Sequence, residues 1–136
     1  RKKFDALLQT LHITLGNIPG MVALEAAYTH GREWLQQFMA YVEENYLFTE
    51  QFIADHLPRI RVMKPEATFL VWLDFRDYGW NDRQLSEFLV RKAGVALNNG
   101  ARFGFGGEGW QRLNIGCPRS LLKEGLERMA LAFGHL

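Results

Sequence analysis

The 136 residues carry 16 Lys and Arg against 15 Asp and Glu, and this net charge of +1 is spread along the chain; a nucleic-acid surface needs clustered basic charge, so that class is set aside. No apolar run approaches the roughly 20 residues of a membrane span, no signal-peptide pattern opens the chain, and the single cysteine, Cys117, excludes an internal disulfide and fits a reducing, cytoplasmic setting. An apolar fraction of 48% at this length points to one globular domain with a modest core.

The chain starts Arg1-Lys-Lys-Phe without an initiator Met, and Phe4, Leu7, Leu8 and Leu11 already follow helical spacing with no capping residue ahead of them. That start reads as a cut through a longer polypeptide. Gly16-Asn17-Ile18-Pro19-Gly20 is a break, with Asn17 as N-cap and Pro19 in the first turn of a helix through Met21, Leu24 and Tyr28. Gly31 bends this helix or separates it from a longer one whose apolar face is Trp34, Leu35, Phe38, Met39, Val42, Phe52 and Ile53. Such a stripe fits core or interdomain packing rather than a cofactor site. Pro58 stops the helix, and Arg59 to Met63 reads as a short strand.

Thr68 to Phe75 is rich in strand formers and apolar on both faces, as expected of a central strand covered on both sides, with Asp74 paired or solvated at the sheet rim. Tyr78 to Asn81 is a turn, and Asn81 or Asp82 caps a helix whose Leu85, Phe88 and Leu89 face inward. Val95 to Leu97 is expected to form a short strand, followed by the turn signal Asn99-Gly100. Pro118 to Ser120 opens a closing helix with Leu122, Leu126, Met129 and Phe133 on one stripe. The order helix, helix, strand, strand, helix, strand, strand, helix is that of an α+β protein, a small sandwich with a short mixed or antiparallel sheet flanked by helices.

Between the last two strands lies the most informative segment, Asn98 to Pro118, which passes from a turn through a glycine-rich loop into Trp110 to Ile115. Strand periodicity puts Trp110, Arg112 and Asn114 on one face and Gln111, Leu113 and Ile115 on the other. Leu113 and Ile115 anchor the strand in a core, so the opposite face presents a guanidinium fixed by the sheet. A planar fork held that way suits two-point recognition of a carboxylate; a surface ion pair is the alternative. Gly104-Phe-Gly106-Gly-Glu-Gly109 matches the dinucleotide fingerprint only literally, because here the loop feeds a strand and opens no helix. His12, His30, His56 and His135 lack metal-ligand spacing, Cys117 reads as a buried structural thiol, and nothing supplies a nucleophile with its base.

The pieces Ala26 to Leu35, Pro65 to Asp74, Ala93 to Leu97, Gly100 to Gly104 and Arg112 to Pro118, in that order and at those spacings, resemble the C-terminal part of class I/II aminotransferase-fold enzymes that use pyridoxal 5'-phosphate (PLP). The likeness is greatest to the MalY/PatB type of cystathionine β-lyase and covers nearly the whole chain. It implies that residues 1–30 link to a large PLP-binding domain and that residues 31–136 form the C-terminal small domain. In such enzymes the arginine of the R-L-N motif grips the substrate α-carboxylate; that position is Arg112, with Gly100, Phe103, Gly104 and Asn114 as pocket neighbours. The lysine that binds PLP, the ring-nitrogen aspartate and the phosphate loop lie upstream in that family, and none of Lys2, Lys3, Lys64, Lys92 and Lys123 has the matching context. The chain alone is therefore expected to bind no PLP and to be inactive. Its parent is expected to be a cytoplasmic homo-oligomer that eliminates a sulfur substituent from an amino acid, or a transaminase. A free-standing, non-catalytic binding domain is the reading from a different class.

Overall fold

A computed structural model describes residues 1–12 and 17–135. It divides into two compact units, Arg1–Met39 and Ala40–Leu136, so the division falls inside a helix, after Met39. The first unit holds α1 (Lys2–Thr10), α2 (Ile18–His30) and the start of α3 (Arg32–His56). Asn17 caps α2, its side-chain oxygen accepting from the Gly20 N–H at 2.6 Å, and Pro19 occupies a first-turn position where no N–H is needed. Gly16, the start of the expected break, lies outside the described residues. Gly31 separates α2 from α3, so three helices precede the sheet where the sequence order gave two. Phe4, Leu7 and Leu11 of this unit are exposed, as are Ile18, Met21, Val22 and Tyr28.

The second unit is built on a four-stranded antiparallel sheet in the order β1-β2-β4-β3, with β1 Arg61–Met63, β2 Leu70–Asp74, β3 Asn98–Asn99 and β4 Trp110–Asn114. Its closed face carries Val71, Leu73, Gln111 and Leu113, all buried, and Ile115 continues that row. The helices of this unit supply much of the remaining core: Val42, Tyr46 and Ile53 from α3, Leu85 of α4 (Asp82–Phe88) with Leu89 just after it, and Leu122, Leu126, Met129 and Phe133 from α5 (Arg119–Phe133). Buried Asn45 locks α3 to the turn after β4, its side-chain amide donating to the carbonyls of Ile115 at 2.7 Å and Cys117 at 3.0 Å. Asn81 caps α4 through a complete capping box with Gln84.

Three expectations are corrected. Val95 to Leu97 is not a strand: a π-helical turn, Leu89–Ala93, ends at Gly94 with φ 64°, and the Val95 N–H is spent on the Leu89 carbonyl, so sheet pairing begins only at Asn98. β2 is central but not covered equally on both sides, since Leu70 and Trp72 stay half-buried while Val71 and Leu73 are enclosed. Cys117 is half-buried rather than buried, although burial is still enough to push its thiol pKa up.

A candidate carboxylate-binding site on the open face

Antiparallel register aligns one residue from each strand across the open face. Met63 pairs with Trp72, Trp72 with Arg112 and Arg112 with Asn98, giving a single row from edge to edge. Directly opposed residues point to the same side of a sheet, so these four side chains are neighbours. Arg112 is held within this row. Its guanidinium lies 4.5 Å over the Phe103 ring, and one terminal nitrogen donates to Asn98 Oδ1 at 3.0 Å. Phe103 in turn meets Trp72 edge to face at 5.3 Å. Arg112 forms no ion pair among the described residues, and its Nε is buried without an acceptor.

The glycine-rich loop makes this stack possible. A Cβ on Gly100 would come within 2.2 Å of the Gly107 carbonyl oxygen, and a Cβ on Gly107 within 2.2 Å of that of Gly100. Only glycine at both positions lets the backbones touch and close the neck of the loop. The closed neck carries Phe103 inward to the arginine while Phe105, at the tip, is fully exposed. At the loop's far end the Gly109 N–H donates to Asp82 Oδ1 at 3.1 Å and the Phe75 N–H to the Gly109 carbonyl at 2.9 Å, which fixes the entry to β4.

The next row on the same face is occupied differently. Asp74 lies opposite Trp110 and Arg61 and is buried, with Arg76 donating from Nε at 2.9 Å and from a terminal nitrogen at 2.8 Å. These hydrogen bonds from Arg76 hold the Asp74 carboxyl below its usual range against the opposing effect of burial. One arginine of the open face is thus matched to an acid and the other is not.

Arg112 borders a cavity of about 490 Å³ with Met63, Lys64, Glu66, Thr68 and Trp72. Phe103, Gly100 and Gly104 border a neighbouring one of about 320 Å³ with Trp72 and Trp110. A third, of about 520 Å³, runs between Gly94–Asn98 and α5 and also reaches Arg112. Its wall is mainly apolar, and its charged members Glu124 and Arg128 are paired with each other, so the first cavity fits an ionic ligand better. Of the residues singled out in the sequence, Arg112 and Phe103 are in contact. Gly100 and Gly104 shape the adjacent cavity, and Asn114 is exposed with its oxygen accepting from the Gly116 N–H at 2.8 Å. Asn98, Trp72, Lys64 and Glu66 were not singled out as site residues; the pairing register brings Asn98 and Trp72 to Arg112, and the loop after β1 brings Lys64 and Glu66 to the cavity it borders. Among the described residues, no group of three His, Cys, Asp or Glu could hold a metal ion, and no helix is long and apolar enough to cross a membrane.

Comparison with known proteins shows what this chain is similar to. The cystathionine β-lyase PatB of Bacillus subtilis is 41% identical over 132 residues, which is 97% of this chain and 34% of that protein. Protein MalY of Escherichia coli is 34% identical over 126 residues, 90% of this chain and 32% of that one. Over nearly its whole length the chain is homologous to one part of PatB and of MalY. The crystal structure of a PLP-bound protein from Clostridium difficile 630 matches with a TM-score of 0.91 at 43% identity, over 96% of this chain and 34% of that one. No family model matches the chain. The chain spans about a third of the length of the curated relatives it matches.

Asp74, Lys64 and Lys123 do not fit the cofactor itself. Asp74, a buried acid, has both carboxylate oxygens engaged by Arg76 and is not available to a ring nitrogen. Lys123 lies 3.7 Å from Glu127, and Lys64 is the lysine that reaches the Arg112 cavity, on an exposed loop. The unpaired guanidinium of Arg112 is a donor set that matches a carboxylate.

Proposed function

We propose that this chain is the substrate-gripping small domain of a PLP-dependent enzyme acting on amino acids, with Arg112 holding the α-carboxylate. The observation that carries the proposal is the half-buried guanidinium with no acid beside it, held edge-on by Asn98 and face-on by Phe103. Charge-assisted hydrogen bonds from such a fork are about twice as strong as neutral ones. A buried donor with no acceptor costs about 1–3 kcal/mol, which an incoming carboxylate at Nε would recover. Two-point attachment fixes rotation about the Cα–carboxylate bond, so the α-proton and the β-substituent of a bound amino acid point in defined directions.

PLP, when bound, stabilises negative charge at the substrate α-carbon. In this proposal its lysine, its ring-nitrogen partner and its phosphate cradle come from outside these 136 residues, joined through residues 1–30. The relatives named as cystathionine β-lyases favour elimination from a sulfur-substituted amino acid as the overall reaction. Joined to a PLP-binding large domain, Arg112→Gln should lower kcat/KM for such a substrate about 100-fold or more, the loss expected when a charge-assisted pair is removed. An unchanged kcat/KM would refute the assignment. Mixed alone with PLP, the chain should give no turnover. After borohydride reduction it should carry no stoichiometric pyridoxyl group on any one lysine; such a group would show that it holds the cofactor by itself.

A further inference from the structure

We infer that Asn99 and Asp82 are positioning residues for Arg112: they pin both feet of the glycine-rich loop to one side of α4 and, through Phe103, set where the guanidinium lies. This rests on the reading of Arg112 as the α-carboxylate clamp. Asn98 and Asn99 are adjacent in β3 and divide between the two faces, Asn98 opposite Arg112 and Asn99 opposite the buried Gln111. The first holds the guanidinium directly. The second spends its side chain on the loop and on α4. Its Oδ1 accepts from the Ala101 N–H at 2.9 Å, and its Nδ2 donates to Ser86 Oγ at 3.2 Å and to the Asp82 carbonyl at 3.5 Å. At the other foot the Gly109 N–H donates to Asp82 Oδ1 at 3.1 Å. Asp82 and Ser86 stand four positions apart, so one side of α4 receives both feet, and the capping box at Asn81 holds that first turn.

What the two feet control is Phe103. Its ring lies 4.5 Å from the Arg112 guanidinium and meets Trp72 edge to face, yet the residue is 53% exposed. Packing holds such a ring less firmly than it holds a core side chain, so the anchorage of the loop sets its place. The contact of Gly100 with Gly107 closes the neck only while both feet stay put, and freeing either one lets the ring swing off the arginine. A guanidinium already held in its bound orientation spares the cost of ordering that side chain on binding, worth about two- to tenfold in affinity. Asn99, Asp82 and Ser86 border none of the three cavities around Arg112 and Phe103, so a change at any of them reaches a ligand there through the loop.

The test follows the Arg112 Nε–H resonance of the isotope-labelled 136-residue chain, which senses the ring current of Phe103, before and during titration with S-methyl-L-cysteine. Phe103→Leu removes the ring and supplies the reference shift. Asn99→Ala and Asp82→Ala should each move the ligand-free resonance toward that reference and weaken binding about two- to tenfold, with the amides of Leu73 and Leu113 unmoved. Asp82→Asn keeps an oxygen acceptor for the Gly109 N–H without the charge, and it should behave as wild type in both readouts. Adding Asn99→Ala to Phe103→Leu should cost no further affinity, because the first acts through the second. The positioning role is overturned if both alanine variants keep the wild-type resonance, if Asp82→Asn is as impaired as Asp82→Ala, or if the losses add in the double variant. Displaced amides at Leu73 and Leu113 would also overturn it, since the residues would then hold the fold as a whole. In each of these cases a wild-type response to the amino acid keeps the clamp. If the wild-type resonance does not respond, the clamp fails and the positioning role with it.

Discussion

On the closed face of the sheet Val71, Leu73, Gln111 and Leu113 are buried under helices, whereas one step along the same strands Trp72 and Arg112 remain half-buried and Asn114 is exposed. Alternation at a period of two lets a single strand do both: β4 is anchored by one set of side chains and presents the other. Stability resides on the first face and the proposed recognition on the second. The arginine can then be left without an acid, because the sheet beneath it is held by contacts that do not involve it.

The sharpest way to break this contrast is to cut into the closed face. Leu73→Ala should cost about 2–5 kcal/mol, the range for truncating a fully enclosed leucine, read as a lower urea midpoint. Asn45→Ala should cost about 2–3 kcal/mol in the same assay, because it leaves the carbonyls of Ile115 and Cys117 without a donor. An Asn45→Ala protein as stable as wild type would show that the turn after β4 is held by something else.

Asp74 tests the boundary between the faces. Its folded-state pKa is depressed, chiefly by hydrogen bonds from Arg76, so its contribution is present above the ordinary aspartate pKa of 3.8 and is lost as pH falls through the lower folded value. Asp74→Asn should therefore be less stable than wild type near neutrality, and the gap should close in acid below that value. A gap independent of pH would contradict the pairing. A smaller effect of opposite sign is expected at Gln111, whose Nε2 is buried on the closed face with no acceptor. Gln111→Leu should gain about 1 kcal/mol, since it removes an unsatisfied donor at little cost in shape.

How much of this was legible in the sequence depended on how local the cause was. The alternation through Trp110 to Ile115, the stripe of α5 and the caps at Asn17 and Asn81 are properties of short windows, and the fold class followed from them. Arg112 stood out as a candidate because its strand neighbours Leu113 and Ile115 declare their face. The register was not legible. Nothing in a single strand says that Met63, Trp72, Arg112 and Asn98 form one row, so Asn98 was missed although it holds the guanidinium. The misplaced strand at Val95 to Leu97 has a similar origin, since its composition suits a strand but its first N–H is taken by the π-helical turn before it.

The central claim is that Arg112 is spare for stability and specific for a carboxylate. It is tested most directly by following the Arg112 Nε–H resonance while the chain is titrated with S-methyl-L-cysteine and with the amine obtained by removing its carboxylate. The amino acid should shift the resonance and the amine should not. Arg112→Gln should abolish the response while changing stability by no more than about 0.5 kcal/mol, as expected for a side chain outside the core. Equal shifts with both ligands, or an Arg112→Gln chain that still binds the amino acid, would contradict the account.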